Sequence, residues 1–110
     1  MPYINISTSE KVDDKKKLLE EITSLISSLT NKSRKFVMAK MDDNFEMYFA
    51  DENPCCFLEI KSIGSLSPSE MAKPICNFIY EKIGIPLDKI YICFEDVPAK
   101  MWGWNGRIFG

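Results

Sequence analysis

An apolar strand, an amphipathic helix and a second strand follow one another twice in this chain of 110 residues. In the first unit, isoleucines alternate with polar residues over 3–7, as in a strand with one face on a core. A helix is predicted from about Ser9 to a left-handed cap at Asn31. Its apolar side chains recur at helical spacing: Leu18, Leu19, Ile22, Leu25, Ile26 and Leu29. A second strand is predicted at 35–41, and a short strand at 45–49 is expected to fold back on it as a hairpin.

The second unit has clearer boundaries. A strand is predicted at 55–63, and Ser67-Pro68-Ser69-Glu70 has the residues of a helix start with a capping box. The apolar stripe of this helix consists of Met71, Ile75, Phe78, Ile79 and Ile83. Gly84 is expected to end the helix. A strand is predicted at 89–95, and a last short strand at 107–109.

Two such units with right-handed crossovers predict an α/β (α+β) fold, with a four-stranded mixed sheet and both helices on one face. Residues 1–110 are predicted to form a single domain with pseudo-repeat halves of about 1–50 and 55–110. The other face of the sheet is expected to carry apolar residues: Val37, Ala39, Phe57 and Tyr91. A bare, partly apolar face requires a partner, and the short strands at 45–49 and 107–109 suit pairing with a neighbour's sheet edge. We therefore expect an oligomer.

Composition and charge exclude several classes of protein. Hydrophobic residues make up 45% of the chain and charged residues 27%, which is typical of a globular domain. The net charge of −2 predicts no binding to nucleic acid and none to membrane surfaces. No apolar run approaches about 18 residues, and the start lacks the apolar core of a signal peptide. We therefore expect a cytoplasmic protein.

The chain contains no histidine. This excludes Ser-His and Cys-His catalysis and most zinc sites. Acid–base chemistry near neutral pH must then come from a carboxylate, lysine, tyrosine or cysteine of shifted pKa, or from the N-terminal amine. The four cysteines form no C-x-x-C pair, and we expect them to be reduced and mostly buried: Cys55, Cys56, Cys76 and Cys93. No metal site is predicted.

The first two residues, Met1-Pro2, are a processing signal as well as a start. Initiator methionine is normally removed when proline follows, so the mature chain is expected to begin at Pro2. That chain would carry a secondary amine on a rigid ring at the head of a strand. An α-amine has a pKa of about 7.7–8.0, apolar burial favours its neutral form, and a neutral amine is a general base. The alternative is that Pro2 merely follows a start codon.

Several segments in a fixed order carry a family resemblance. They are Met1-Pro2, Lys32, Pro54-Cys55, Ser62-Ile63-Gly64, Ile90-Tyr91-Ile92, Trp104-Asn105-Gly106 and Ile108-Phe109-Gly110. Together they resemble the macrophage migration inhibitory factor family of the tautomerase superfamily, which includes D-dopachrome tautomerase. The resemblance implies a homotrimer whose sheets line a central channel. It also implies a keto–enol tautomerase that acts on small aromatic α-keto acids or enols, such as phenylpyruvate and dopachrome, without a cofactor.

The resemblance also implies roles for individual residues. Pro2 is the implied base. The proton that it transfers belongs to the substrate and moves between a carbon next to the carbonyl and the carbonyl oxygen. Tyr91 of the adjacent subunit is the implied hydrogen-bond donor to that oxygen. Lys32 would bind the substrate carboxylate and keep the Pro2 amine neutral, and the backbone N–H of Ile63 would face the substrate. By position alone, Lys32 could instead be a solvated residue at a helix end, and Tyr91 an interface aromatic.

Aromatic residues are implied to form the walls of the pocket. Trp104 and Phe109 match wall positions and Phe36 a rim position, although each could be plain core. Three pocket positions depart from the best-known animal member of the family. Cys93 replaces an asparagine that contacts substrate from the neighbouring subunit, Trp102 replaces a smaller residue, and Tyr3 replaces a methionine beside Pro2. A thiol is a weaker donor, and Trp102 and Tyr3 should both narrow the mouth of the pocket.

A signalling protein is the alternative function. Those family members that are secreted without a signal peptide act on receptors, and the resemblance therefore also allows a chain that binds a receptor protein, with the pocket vestigial or used only as a contact surface. In that case the protein would be secreted by a route without a signal peptide. Receptor binding that survives Pro2→Gly would favour this role.

Overall fold

The computed structural model describes residues 1–110 as a sheet, two helices and a small hairpin. The main sheet consists of β1 (Tyr3–Thr8), β2 (Met38–Asp42), β3 (Cys56–Ser62) and β4 (Ile90–Asp96). The helices are α1 (Lys15–Thr30) and α2 (Pro68–Ile83), and the hairpin strands are β5 (Gly103–Trp104) and β6 (Arg107–Ile108). Three single-turn 3-10 helices connect these elements: Arg34–Phe36, Leu87–Lys89 and Ala99–Met101. None of the helices is both long and apolar enough to cross a membrane.

The main sheet has the order β2-β1-β3-β4. Within each β-α-β unit the two strands are parallel: β1 pairs with β2, and β3 pairs with β4. The units meet at an antiparallel pairing of β1 with β3, in which Ile4 faces Ile60 and Ile6 faces Leu58. The predicted α+β fold with a mixed four-stranded sheet is confirmed.

The core lies between the two helices and one face of the sheet. α1 packs over β2, α2 packs over β4, and the helices contact each other. The central side chains of this layer are at most 1% exposed: Ile4, Ile6, Ile22, Ile26, Leu58, Ile60, Ile75 and Ile79. Each such side chain contributes roughly 1.5–3 kcal/mol when it is buried. The alternating apolar residues of the strands and the apolar stripes of the helices therefore pack together as a single apolar layer.

The open face of the sheet is more polar than predicted. Residues that pair in register share a face, so β1 and its neighbours present the following polar side chains there: Asn5, Ser7, Lys40, Asp42, Glu59, Lys61, Cys93 and Glu95. The prediction is correct for Phe57 and Tyr91, which lie on this face. It is wrong for Ala39, which pairs with Ile4, and for Val37, because both pack against the core.

Both helices end as predicted, but α1 begins later than predicted. Asn31 has φ 56° and Gly84 has φ 83°, so both adopt the left-handed cap conformation. The predicted start of α1 at Ser9 is wrong: the helix begins after Asp14, whose carboxylate accepts the Lys17 N–H at 3.1 Å. The preceding segment is held by a distant residue, because Asp43 Oδ2 accepts the Val12 N–H at 2.8 Å.

The capping box predicted for α2 does not form. Pro68 opens the helix as expected, but the Ser67 side chain makes no capping hydrogen bond. In a capping box, the Ser67 N–H would donate to the Glu70 carboxylate. Here it contacts Met71 Sδ at 3.2 Å instead. The buried Met71 side chain thus takes the place that Glu70 would need.

The predicted short strands are partly wrong. Residues 45–49 form no strand, because the chain turns through left-handed backbone at Asn44 (φ 58°) and Ala50 (φ 67°), leaving a single bridge between Phe49 and Asp51. The predicted strand 35–41 begins only at Met38, after the 3-10 turn Arg34–Phe36. The last strand pairs with β5 of its own chain through an Asn105-Gly106 turn with positive φ at both residues, as in a type I′ hairpin.

All four cysteines are free thiols. Cys55 and Cys56 are buried as predicted, Cys76 is half-buried, and Cys93 is exposed, so the prediction of mostly buried cysteines is wrong for Cys93. Burial, with smaller contributions from Cys76 and Cys55, raises the pKa of Cys56 to about 12. A thiol with this pKa stays protonated at neutral pH and packs as a small apolar group.

A pair of leucine substitutions tests the position of the core. Leu58 on β3 is fully buried, whereas Leu87 is 50% exposed. We expect Leu58→Ala to lower the free energy of unfolding by roughly 2–5 kcal/mol, through lost burial and a residual cavity. Leu87→Ala should change it by less than about 0.5 kcal/mol. Urea denaturation at one fixed protein concentration measures both values, and equal losses would contradict this assignment of the core.

Candidate active site

Pro2 lies at the head of β1 and is buried. Its carbonyl oxygen accepts the Met38 N–H at 3.0 Å, which extends the parallel pairing of β1 with β2 by one residue. The ring fixes the backbone angle φ of Pro2. The direction of the Pro2 nitrogen is therefore set by the sheet and not by a flexible side chain.

Two clefts meet at this point and share Met1 and Phe36. The first has a volume of about 500 Å³ and is lined by Met1, Asn31, Lys32, Ser33, Phe36, Ile63, Ala99 and Phe109. The second has a volume of about 380 Å³ and is lined by Met1, Pro2, Tyr3, Phe36, Met38, Trp102, Gly103 and Trp104. The fold thus brings most of the predicted site residues around Pro2, from segments that are far apart in sequence.

Lys32 is held by its backbone directly after the cap of α1. Its N–H donates to the Ser27 carbonyl at 3.2 Å, and its own carbonyl accepts from Ser27 Oγ at 2.5 Å. No aspartate or glutamate lines either cleft, and Lys32 forms no ion pair within the chain. The first cleft therefore presents a positive charge that a bound anion can neutralise.

The pKa of the Met1 α-amine depends on the burial and the charge of the clefts. Burial lowers the pKa of this amine below its ordinary value, and the nearby positive charge of Lys32 lowers the pKa further. Both causes disfavour a second positive charge at the end of β1. An amine placed here is neutral at a lower pH than an amine in water.

Aromatic rings form a continuous wall along the clefts. The Trp104 and Phe36 rings are nearly perpendicular, with their centroids 6.2 Å apart, and the Trp104 ring stacks parallel to that of Phe109 at a centroid distance of 6.4 Å. The Phe109 N–H donates to the Trp102 carbonyl at 3.0 Å, which holds the chain end against the β5–β6 hairpin. A flat aromatic ligand has matching apolar surface here, so Phe36, Trp102, Trp104 and Phe109 all lie where a pocket wall is needed.

Ile63 follows β3 directly and lies between two anchored neighbours. The Ser62 carbonyl accepts the Val97 N–H at 2.8 Å, and the Gly64 N–H donates to Asp96 Oδ1 at 2.9 Å. Gly64 has φ 67°, a left-handed conformation that lets the chain turn at the edge of the cleft. Ile63 thereby lines the first cleft next to Lys32.

Tyr91 and Cys93 lie away from the Pro2 of their own chain. Both are exposed on the open face of β4, where Tyr91 is level with Phe57 and therefore with Ser7, at the opposite end of β1 from Pro2. The spacing of a sheet puts Tyr91 roughly 16 Å from Pro2 along β1, and two strands away across the sheet. One chain alone does not bring these two residues to Pro2. Their predicted roles require a second subunit.

Some residues of the clefts were not predicted from the sequence. Met38, Ser33 and Ala99 line the clefts without any local signal, because loops and a strand end bring them there. Asn31 was predicted from the sequence as a helix cap but not as a residue of the cleft. No cluster of three or more histidine, cysteine, aspartate or glutamate side chains is arranged to hold a metal ion.

The site combines a rigid N-terminal segment, an unpaired ammonium group and an aromatic wall. This combination suits an amine base acting on an anionic, flat substrate.

A sequence model of the family described as "Macrophage migration inhibitory factor (MIF)" matches residues 1–110. The macrophage migration inhibitory factor of Xenopus tropicalis is 28% identical over 96 residues, which cover 84% of either chain. Among solved structures, a macrophage migration inhibitory factor homologue from Prochlorococcus marinus superposes with a TM-score of 0.93 and 42% identity, over 98% of this chain and 99% of that one. The protein from Trichinella spiralis gives 0.91 and 25%, over 97% and 99%. The resemblance predicted from the sequence is confirmed, and the chain belongs to the macrophage migration inhibitory factor family.

Proposed function

We propose that the chain is a keto–enol tautomerase of the phenylpyruvate or dopachrome type, which uses the Pro2 amine as its general base once Met1 has been removed. Family membership supports tautomerase-type activity in general. The observation that carries the specific proposal is the position of Pro2, buried at the meeting point of two clefts that hold a lysine and no carboxylate.

The electrostatics support a neutral amine. The pKa of the Met1 amine is lowered first by burial and then by Lys32. The Pro2 nitrogen is one residue further into the same surroundings, so both causes act on it after processing. A neutral secondary amine has a lone pair available to accept a proton near neutral pH.

The reaction moves one proton between a carbon and an oxygen of the same molecule, so no redox partner is needed. Pro2 takes the proton from the carbon next to the carbonyl, which leaves an enolate and a protonated amine. The enolate oxygen then takes up that proton, which gives the enol and returns the Pro2 amine to its neutral form. Lys32 binds the substrate carboxylate, and the Ile63 N–H gives a further hydrogen bond. Tyr91 of the adjacent subunit donates to the oxygen that gains charge, and Cys93 lies beside Tyr91 on the same face of β4.

We further propose a homotrimer whose sheets line a central channel. The polar character of the open face supports a solvated channel, because charged residues at Lys40, Glu59, Lys61 and Glu95 are stable there only in contact with water or with one another. The distance between Pro2 and Tyr91 in one chain supports a site shared by two subunits.

A signalling protein that binds a receptor is the second candidate. The family name and an exposed aromatic segment favour it, since Phe45 is 56% exposed and Tyr48 is 75% exposed. Migration of cultured macrophages separates the two candidates. If Pro2→Gly still inhibits the migration of the cells, signalling without catalysis is favoured. If Pro2→Gly loses this inhibition together with the enzymatic activity, a role for the pocket is favoured.

The first test concerns the base. We expect mass spectrometry to find Pro2 at the mature N-terminus. The processed chain should tautomerise phenylpyruvate. Pro2→Gly should lower kcat/KM by roughly a hundredfold, because the base is no longer held by a rigid ring. Acetylation of the amine should abolish the activity, since an amide has no basic lone pair. Equal rates for the processed and Pro2→Gly chains would remove Pro2 from the mechanism.

The second test concerns Lys32. In Lys32→Met the positive charge beside the amine is lost, so the amine pKa rises and the acidic limb of the kcat/KM profile moves to higher pH. KM for phenylpyruvate should also rise roughly tenfold, because a charge-assisted hydrogen bond to the carboxylate is lost. Lys73→Met, an exposed substitution on α2 outside both clefts, is the control and should change neither value. An unmoved acidic limb in Lys32→Met contradicts the electrostatic role.

The third test asks whether the site is shared between subunits. Pro2→Gly and Tyr91→Phe chains are each expected to be impaired, and the two are then unfolded together and refolded as a mixture. If each site takes Pro2 from one chain and Tyr91 from its neighbour, random assembly restores roughly a quarter of the sites. The mixture should therefore exceed either parent in activity. A mixture no more active than the average of its parents would show that the site lies within one chain.

A further inference from the structure

The loop between β2 and β3 reaches the edge strand β4 at Tyr91. The ring centroid of Phe49, in this loop, lies 4.6 Å from that of Tyr91, with the ring planes at 40°. Tyr91 is 59% exposed, so few other groups restrict its side chain. The contact with Phe49 therefore limits the orientations that the phenol can adopt.

One ammonium group holds Phe49 in this place. Lys89 Nζ donates to the Phe49 carbonyl at 2.8 Å and forms an ion pair with Asp51 Oδ2 at 2.9 Å. The same nitrogen lies 5.3 Å from the centroid of the Phe49 ring. The Lys89 side chain is only 15% exposed, so these interactions are poorly screened by water. Lys89 thus binds both ends of the turn that carries Phe49.

The turn itself needs such an anchor. Ala50, at its centre, has φ 67°, a left-handed conformation that a residue with a Cβ atom rarely adopts. Asp51 also stabilises the turn, because its carboxylate accepts the Asn53 N–H at 2.9 Å. Lys89 is two residues before Tyr91 in sequence, so the anchor and the phenol are carried by the same short segment of chain.

We infer that Lys89 is a positioning residue for the tautomerase reaction: it holds the Phe49 ring against Tyr91, so that the phenol is presented to the neighbouring subunit in one orientation. The inference rests on the proposed function, because Tyr91 has a role to be positioned for only if it donates to the substrate oxygen. A donor held in place before the substrate arrives loses less rotamer freedom on binding, and small misplacements of such groups are costly.

The chain contains a matched control for Lys89. Lys82 on α2 forms an ion pair with Glu21 at 3.0 Å and lies 6.0 Å from the centroid of the Phe78 ring. It therefore makes an ion pair and an aromatic contact of the same kinds, with partners that lie on the two helices and not in the turn beside Tyr91. Lys89→Met and Lys82→Met each remove an ammonium group from such contacts, the Lys82 side chain being the more exposed of the two, and only the first affects the turn beside Tyr91.

Steady-state kinetics with phenylpyruvate test the inference. Lys89→Met should lower kcat between about tenfold and a hundredfold with little change in KM, because the hydrogen bond to the oxygen is strongest in the transition state. Lys89→Arg should recover most of the loss, and Lys82→Met should match the wild type. Thermal unfolding of each variant checks that the chains remain folded.

A double-mutant cycle separates positioning from general destabilisation. In a Tyr91→Phe background, Lys89→Met should have no further effect on kcat, since the donor it positions is already absent. An equal loss in both backgrounds, or no loss in either, overturns the inference.

A readout without catalysis separates this inference from the proposed function. The chain has four tyrosines, so 3-fluorotyrosine labelling gives resolvable fluorine resonances, and Tyr91→Phe identifies one of them. Lys89→Met should shift and broaden the Tyr91 resonance, and Lys82→Met should not. A Tyr91 resonance that Lys89→Met leaves unchanged overturns positioning. An inactive wild type whose Tyr91 resonance still responds refutes the tautomerase proposal alone.

Discussion

The position of β1 between β2 and β3 is the constraint on which the rest of the structure depends. Ile4 and Ile6 bury completely against the helices, so β1 cannot slip by one residue without turning its apolar side chains to the open face. This register fixes Pro2 at the end of the sheet, where its carbonyl pairs with Met38. Burial and this hydrogen bond hold the Pro2 backbone in one place beside β2.

The two ends of the sheet have different functions in the proposed site. Pro2 precedes β1 at one end, together with Lys32 and the aromatic wall. Tyr91 lies level with the other end of β1, because β3 runs antiparallel to β1 and β4 follows the direction of β3. The topology thus separates the proposed base from the proposed donor within a chain. Assembly of subunits can bring them together, and this makes oligomerisation part of the catalytic proposal.

The local signals in the sequence predicted the elements well and their boundaries less well. Asn31 and Gly84 ended the helices as expected, since a left-handed cap depends on the residue itself. The start of α1 depends on Asp43, and the path of residues 45–49 depends on Lys89; both partners are distant in sequence. Contacts with such distant residues cannot be found from the spacing of residues within a segment. The capping box of α2 failed for a local reason, because the Ser67 N–H contacts the sulfur of Met71, which is next to Glu70 in the sequence.

The sequence by itself determined the repeated strand-helix-strand order, the apolar layer and the residues that could serve as a base in a chain without histidine. These properties follow from side-chain chemistry and periodicity, which act over a few residues. Only the tertiary structure decided that Lys32, Ile63 and Phe109 line one cleft, next to the cleft that Pro2 lines, and that Phe49, held by Lys89, packs against Tyr91. Those arrangements depend on strand order and loop paths, which are fixed by the packing of the whole chain and not by any one segment.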